Sequence, residues 1–342
     1  MSDSSTRGGQ ELSLLAGRLS KYCRAKLGRA LWELSVSGFL FLSCWLGALI
    51  GVAYVHWLFA LLSIPSGVFL VRLFMIQHDC GHGSFFRSRA WNNRVGRVIG
   101  VLCWTPYAYW RRLHDGHHAT SGNLDMRGTG DIATLTVAEY QSLTPWRQFL
   151  YRVYRHPAVL FGLGPTYIFV LKHRMPLELI RDLKDGWISV MSTNAAIAGI
   201  AIAASLVVGP LTFVVVHLAT VLFAGTIGVW LFYVQHQFQE TEWDGQEEWE
   251  FRRQALEGSS FYDLPAPLRW LTANIGIHHI HHLRSRIPSY RLYECLKDIP
   301  ELRKVNRLTM WESFKCVPLA LWDDRQRRLV SFRSARAMAA TQ

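Results

Sequence analysis

Long apolar stretches separated by polar segments dominate the pattern along this chain. Residues 34–55 contain no charged side chain, and residues 57–76 follow almost at once with Arg72 as their single charge. Residues 186–209 and 211–234 repeat the arrangement without any charge. A helix needs about 20 apolar residues to cross a bilayer. The pattern therefore predicts four membrane-spanning helices arranged as two hairpins.

Two further apolar runs are too short to cross a bilayer. Residues 98–110 and residues 158–171 suit interfacial or re-entrant helices better, because a full crossing needs about 20 residues. The first run carries several aromatic side chains, which we expect to anchor the membrane interface. The alternative is that they line an internal cavity. The residues in question are Trp104, Tyr107, Tyr109 and Trp110.

The basic residues lie between the predicted hairpins rather than within them. Residues 1–33, 77–185 and 235–342 hold 6, 14 and 16 of the 37 Lys and Arg residues, whereas the turns inside the hairpins hold none. Loops rich in Lys and Arg face the cytoplasm. We therefore expect a protein of the cytoplasmic (inner) membrane with both termini in the cytoplasm. Topology accounts for the net charge of +12, so we expect no nucleic acid partner.

These features predict an all-α integral membrane protein with a cytoplasmic helical cap. We expect a basic cytoplasmic N-terminal segment at 1–33, one membrane domain at 34–332 and a C-terminal tail at 333–342. The six cysteines form no C-x-x-C pair. Reduced thiols are therefore expected, rather than a disulfide framework.

Three histidine clusters supply the candidate chemistry. Neutral imidazole is a common ligand of transition metals, and most of the 14 histidines fall in three short windows. Offsets of three and four residues place side chains on one face of a helix. His236 follows the last apolar stretch. The clusters are His78-Asp-Cys-Gly-His82, His114-Asp-Gly-His117-His118 and His278-His279-Ile-His281-His282.

Topology places all three clusters on one side of the membrane. The first two follow the second predicted span and the third follows the fourth, so two crossings separate them. One metal centre can therefore collect all of them, and their number implies two metal ions. His279 falls outside the repeated spacing. Asp79 and Asp115 either orient ligands or are simply solvated or capping residues. The candidate ligands are His78, His82, His114, His117, His118, His236, His278, His281 and His282.

The choice of metal follows from what accompanies the histidines. The sequence contains no cysteine set typical of structural zinc, no His-Glu-x-x-His and no Glu-x-x-His pair of soluble di-iron bundles. A site of imidazoles alone suits a pair of iron ions with oxygen chemistry. Ligand softness leaves zinc and copper open.

With these clusters, the chain resembles the membrane-bound fatty acid desaturases. The order H-x-x-x-H, H-x-x-H-H and H-x-x-H-H around two hairpins is shared with that family. The similarity covers about residues 34–332 and is strongest to the bacterial acyl-lipid, omega-6-type branch. The further segments that carry it are 109–112, 258–265, 276–283, 286–292, 321–324 and 329–332.

The resemblance implies a function and a cofactor. It implies two iron ions held by the nine candidate histidines, O₂ as co-substrate, and a cis double bond introduced into an acyl lipid or acyl thioester. Electrons would come from a separate ferredoxin-like or haem carrier. One alternative is a hydroxylase or ketolase of the same superfamily acting on a hydrophobic substrate. An alternative from another class is a histidine-rich membrane metal transporter.

Overall fold

The computed structural model describes residues 14–15, 17–128, 130–176 and 184–340. Residues 1–13 of the predicted N-terminal segment and 341–342 of the predicted tail lie outside this part. The described chain is mostly helical. Its main helices are α1 (Leu27–Tyr54), α2 (Ser63–Gly81), α3 (Arg89–Leu102), α4 (Tyr107–Thr120), α5 (Val137–Ser142), α6 (Pro145–Arg155), α7 (Lys184–Val208), α8 (Pro210–His236), α9 (Phe251–Glu257), α10 (Ala266–Leu271), α11 (His278–Leu283), α12 (Ser289–Asp298), α13 (Met310–Ser313) and α14 (Phe332–Ala340).

Within the described residues, four helices are long and apolar enough to cross a membrane. They are α1, α2 with the preceding turn at Trp57–Leu62, α7 and α8. Each covers one of the predicted spans. Large apolar side chains on their outer faces are exposed, including Leu206 at 83% and Leu211 at 75%. Such a surface is unfavourable in water and favourable in lipid.

Helix α8 is central among these four, because it packs against α1, α2 and α7. It approaches α2 closely at Gly67. A Cβ atom there would lie 2.9 Å from the Phe223 ring and 3.0 Å from the carbonyl oxygen of Thr220. Small residues allow helix backbones to approach closely where lipid surrounds them. The contact fixes α2 against α8, and the C-terminal parts of these helices carry His78 and His236.

The first short apolar run spans the turn between two helices. Helix α3 ends at Leu102, the chain turns through residues 103–106, and α4 leads back to the second histidine cluster. Tyr107 and Tyr109 are 2% and 1% exposed. The expectation that these two anchor an interface is therefore wrong, because both lie in the interior.

The second run forms an unusual helix. Residues Ala158–Leu163 and Tyr167–Leu171 are π-helical, and Gly164–Thr166 between them is α-helical. A 3₁₀ turn at Lys172–Arg174 follows. We call residues 158–174 the π segment. It packs along α8, where the Thr226 hydroxyl donates to the carbonyl of Phe161 at 2.9 Å.

The prediction of an all-α protein needs one correction. Short strands form a three-stranded sheet in the order β1-β4-β5 and a two-stranded sheet of β2 and β3. None exceeds five residues, so alternation of apolar and polar positions was too brief to indicate them. The strands are β1 (Leu135–Thr136), β2 (Phe261–Asp263), β3 (Arg307–Thr309), β4 (Leu319–Asp323) and β5 (Arg328–Ser331).

Strand β2 positions the third histidine cluster. Phe261 forms an antiparallel bridge with Ile277, and the backbone N–H of Tyr262 donates to the carbonyl of Gly276 at 2.7 Å. A Cβ on Gly276 would lie 2.5 Å from the Tyr262 carbonyl oxygen, so only glycine fits this approach. Helix α11 begins at His278, directly after this contact.

Candidate metal centre

The structure brings the nine candidate histidines together in two groups. The nitrogen atoms of each group that face a common point all lie within 4.8 Å of one another. The five-histidine group draws on α2, α4 and α11, and the four-histidine group draws on α4, α8 and α11. The first consists of His78, His82, His114, His118 and His281, and the second of His117, His236, His278 and His282.

The spacing of the ring nitrogens fits metal coordination. In the four-histidine group, the Nε2 atom of His236 lies 3.2 Å from that of His117 and 3.0 Å from that of His278. In the five-histidine group, the Nε2 atom of His118 lies 3.1 Å from those of both His114 and His281. Two nitrogens bound to one metal at about 2.1 Å and at right angles would lie about 3.0 Å apart.

Hydrogen bonding alone does not explain this convergence. A neutral imidazole has one N–H donor and one acceptor nitrogen. The Nε2 atom of His118 faces two other Nε2 atoms, and so does that of His236, yet a single N–H satisfies only one neighbour. Lone pairs that converge in this way suit a cation at the common point of each group.

Most of these imidazoles are held in the neutral form that a metal needs. Burial, followed by the charge of neighbouring histidines, holds the pKa of His114, His118 and His281 well below the ordinary value of 6.5. The same two causes lower the pKa of His278 and His282. At neutral pH these rings therefore carry free lone pairs, as coordination to a metal requires.

Asp131 is a functional candidate that sequence reasoning missed. Its Oδ1 atom lies 2.5 Å from the Nδ1 atom of His117, whose Nε2 atom faces the four-histidine group. A carboxylate that accepts from Nδ1 fixes the tautomer and orients the ring. The spacing from the second cluster carried no signal for this contact, because a loop rather than a helix returns Asp131 to His117.

Asp79, Asp115 and His279, whose roles the sequence left open, have different surroundings in the structure. Asp79 accepts at Oδ2 from the backbone N–H of Ser289 at 2.7 Å, and so joins α2 to α12. Asp115 is exposed. His279 is fully buried, but its Nε2 atom lies 3.0 Å from the carbonyl oxygen of Leu302. None of these three belongs to either histidine group.

A cavity of about 390 Å³ adjoins both groups. It reaches His78 and His114 of the five-histidine group, and His117 and His278 of the four-histidine group. Trp110 also lines it, and its ring stacks on His114 at 4.7 Å between centroids. Apolar side chains from α2, α8 and the π segment form much of the wall, among them Val71, Met75, Leu160, Val221 and Leu231.

Comparisons with known proteins agree with this architecture. The family model described as fatty acid desaturase matches residues 55–314. The chain is 38% identical over 320 residues to a fatty acid desaturase of Bacillus subtilis, which covers 94% of this chain and 90% of that protein.

Two relatives from Synechocystis sp. are more distant. An sn-1 acyl-lipid omega-3 desaturase (ferredoxin) is 28% identical over 73% of this chain and 70% of its own length. An sn-1 oleoyl-lipid 12-desaturase is 27% identical over 71% of this chain and 69% of its own length. Together with the match to the family model, these similarities show that the chain belongs to the fatty acid desaturase family, a family of oxidoreductases.

Proposed function

We propose that this protein is an O₂-dependent di-iron desaturase that introduces a cis double bond into the acyl chain of a membrane lipid or a fatty acyl thioester. One observation carries the proposal. A largely apolar cavity ends against both histidine groups, so a methylene chain in that cavity lies beside two adjacent metal positions.

The two histidine groups are the proposed iron ligands, one group for each ion. Removing hydrogen from an unactivated methylene group is beyond any acid or base side chain, so iron supplies the oxidising chemistry when bound. The overall reaction balances when one O₂, two electrons and two protons accept the two hydrogens of the chain and leave as two waters. The protein must therefore admit electrons while it shields the chain from water.

The chain's own residues position the substrate. Val71, Met75 and Leu231 offer no hydrogen bonds, so the cavity favours a methylene chain over water. Trp110 stacks on His114 and holds that ring at the cavity wall. Asp131 holds His117 through its Nδ1 atom. Such fixed geometry is the main contribution a protein makes when a cofactor carries the reaction.

The membrane orientation is part of the proposal. We place α1, α2, α7 and α8 across the cytoplasmic membrane as two hairpins within one domain at 34–332. Both histidine groups adjoin the C-terminal ends of α2 and α8, so they lie at one face. The charge pattern makes that face cytoplasmic, together with both termini.

A separate electron carrier is the proposed partner. Arg94, Arg97 and Arg112 are exposed on α3 and α4, next to the histidine-bearing part of α4. Basic surfaces favour docking of acidic proteins. A relative from Synechocystis sp. is named as a ferredoxin desaturase. We therefore propose a ferredoxin-like donor, with a haem carrier as the competitor to test beside it.

Lipid analysis of an expressing host tests the proposal. Wild-type protein should produce new cis double bonds, seen by gas chromatography and mass spectrometry of the fatty acids. His281→Ala should produce none, while His156→Ala, which changes an exposed histidine outside both groups, should match the wild type.

The same experiment separates the rival functions. Hydroxylated or keto products without new alkenes would identify an oxygenase of the same superfamily instead. Iron-free protein that raises metal uptake by the host, with unchanged lipids, would identify a transporter. Either result would contradict the proposed desaturation.

A further inference from the structure

A half-buried arginine, Arg174, directly follows the cavity-lining residues Lys172 and His173. Arg174, at the end of the π segment, donates from Nη1 to the Asn194 Oδ1 atom of α7 at 2.7 Å. Asn194 returns a hydrogen bond from Nδ2 to the Arg174 carbonyl at 3.1 Å. The Nη2 atom of Arg174 donates to the backbone carbonyl of Trp104. One side chain thus joins the π segment, α7 and the turn between α3 and α4.

Trp104 has an unusual backbone that suits this contact. Its φ angle is +54°, in the left-handed region that bulky residues rarely adopt. The Trp104 ring lies 5.1 Å from that of His217 on α8. Contacts on both sides therefore hold the turn in a conformation that the residue alone would not favour.

The neighbours of these two residues form the floor of the cavity. Cys103 and His173 line the cavity directly. The thiol of Cys103 contacts the carbonyl oxygen of Leu70 at 3.9 Å, and Leu70 also lines the cavity. The Phe169 ring lies 5.4 Å from that of His173. Val221 of α8 completes the floor.

Close packing leaves this floor little freedom. A Cβ atom on Gly225 would lie 2.9 Å from the Phe169 ring, so the π segment already touches the backbone of α8. Leu70 precedes His78 by roughly 12 Å along α2, at 1.5 Å per residue. The floor is thus a fixed stop some distance from the metal positions.

A charged side chain at this depth calls for an explanation. Ionisable residues placed among membrane helices are costly and usually serve function. Arg174 is not among the residues that line the cavity, whereas its neighbours in sequence, His173 and Lys172, are. It therefore acts on the cavity through the residues that it holds.

We propose that Arg174 is a positioning residue that fixes the cavity floor and thereby sets which carbons of the acyl chain reach the metal centre. This inference rests on the proposed desaturase function. Leu70, Cys103, Phe169 and Val221 give the floor an apolar surface beside His173 and Lys172. We place the methyl end of the chain against this apolar surface, because the other end carries the polar ester or thioester. The double bond is then placed by its distance from the methyl end.

Two opposite changes test the proposal in an expressing host. Asn194→Ala removes a partner of Arg174 and loosens the floor, so the chain slides deeper and new isomers appear with the double bond farther from the methyl end. Val221→Phe fills the floor and shifts the double bond towards the methyl end. Mass spectrometry of derivatised fatty acids reads the position. We expect displaced isomers to reach about a tenth of the product, a ratio that corresponds to only about 1.4 kcal/mol between competing transition states.

Ser37→Ala is the matched control. Ser37 accepts a hydrogen bond at 2.9 Å from the buried arginine Arg72. Arg72 also binds Glu33 and the backbone carbonyl of Trp270, and it does not line the cavity. Ser37→Ala should leave the position of the double bond unchanged, and its only effect should be a lower yield of folded protein.

The outcomes separate the inference from the function on which it rests. Absence of double bonds in the wild type would remove the proposed function itself. If the wild type is active but the double-bond position is unchanged in both Asn194→Ala and Val221→Phe, the proposed role of Arg174 is wrong. The proposed desaturase function would then still stand. An equal shift in Ser37→Ala would also overturn the role of Arg174, because loosening anywhere in the helix bundle would then suffice.

Discussion

The two histidine groups differ in number and in surroundings. The five-histidine group has one histidine more than the other group, and His82 and His114 within it are only partly buried. All members of the four-histidine group are buried, and Asp131 orients one of them through a contact of 2.5 Å. We therefore expect metal binding by the four-histidine group to depend on each of its histidines and on the Asp131 carboxylate. The five-histidine group should still bind metal after the loss of one histidine.

The largest effect is expected from His117→Ala. This change removes one of the four proposed ligands of the smaller group and leaves Asp131 without its imidazole partner. We expect the metal content to fall from two ions per chain to about one and the turnover to drop below detection. Elemental analysis of purified protein and lipid product analysis provide the measurements. Two retained ions with normal turnover would contradict the assignment of His117.

A smaller loss of metal is expected from His82→Ala. Four imidazoles remain in the five-histidine group after this change, a number that still suffices for coordination. The metal content should stay near two ions per chain, while turnover falls because the ligand geometry has changed. If His82→Ala loses as much metal as His117→Ala in the same assay, the proposed contrast between the groups is wrong.

Asp131→Asn tests how much the carboxylate contributes to the four-histidine group. The amide keeps the shape of the side chain but loses the charge that supports His117. Loss of such a partner typically lowers metal affinity by roughly 10–100-fold, and competition with a chelator measures this effect. Asp115→Asn serves as the control, because Asp115 is exposed on α4, the helix that also carries His117. Equal chelator sensitivity in the two variants would exclude a specific role for Asp131.

The smallest effect is expected from His279→Gln. His279 adjoins His278 in sequence but contacts the Leu302 carbonyl instead of the metal groups. Loss of that buried hydrogen bond should lower the free energy of unfolding by about 1 kcal/mol. Metal content and bond position should not change. Thermal unfolding in detergent, with elemental analysis of the same sample, checks both; a loss of metal would make His279 a ligand.

Much of the metal centre could be predicted from the sequence because its signals are local. Offsets of three and four residues predicted that the histidines of α4, and likewise those of α11, share one helical face. The order of the apolar stretches predicted that the three clusters meet, as they do in the two histidine groups. His236 was also predicted, since it directly follows the last span. The four long apolar helices were predicted because length and charge alone define such stretches, and their insertion in a membrane stays a prediction.

The remaining features depend on contacts between distant parts of the chain. Asp131 reaches His117 through a loop, and Arg174 meets Trp104 across 70 residues of sequence. No periodicity marks either pair. The sequence did not predict the short strands for a related reason. Strand β1 pairs with β4 far along the chain, and each strand is too short to show alternating apolar and polar residues. The role of His279 required the structure, since His278, His281 and His282 close to it in sequence are all ligand candidates.

Iron counted per chain in a purified sample that also forms double bonds is the most direct test of the proposed di-iron centre. Wild-type protein, supplied with a lipid substrate, O₂ and an electron carrier, should contain two iron ions per chain and form a cis double bond at a rate proportional to that iron content. Full desaturation by protein that contains one iron ion, or only zinc, would contradict the proposal that the two histidine groups together hold the catalytic irons.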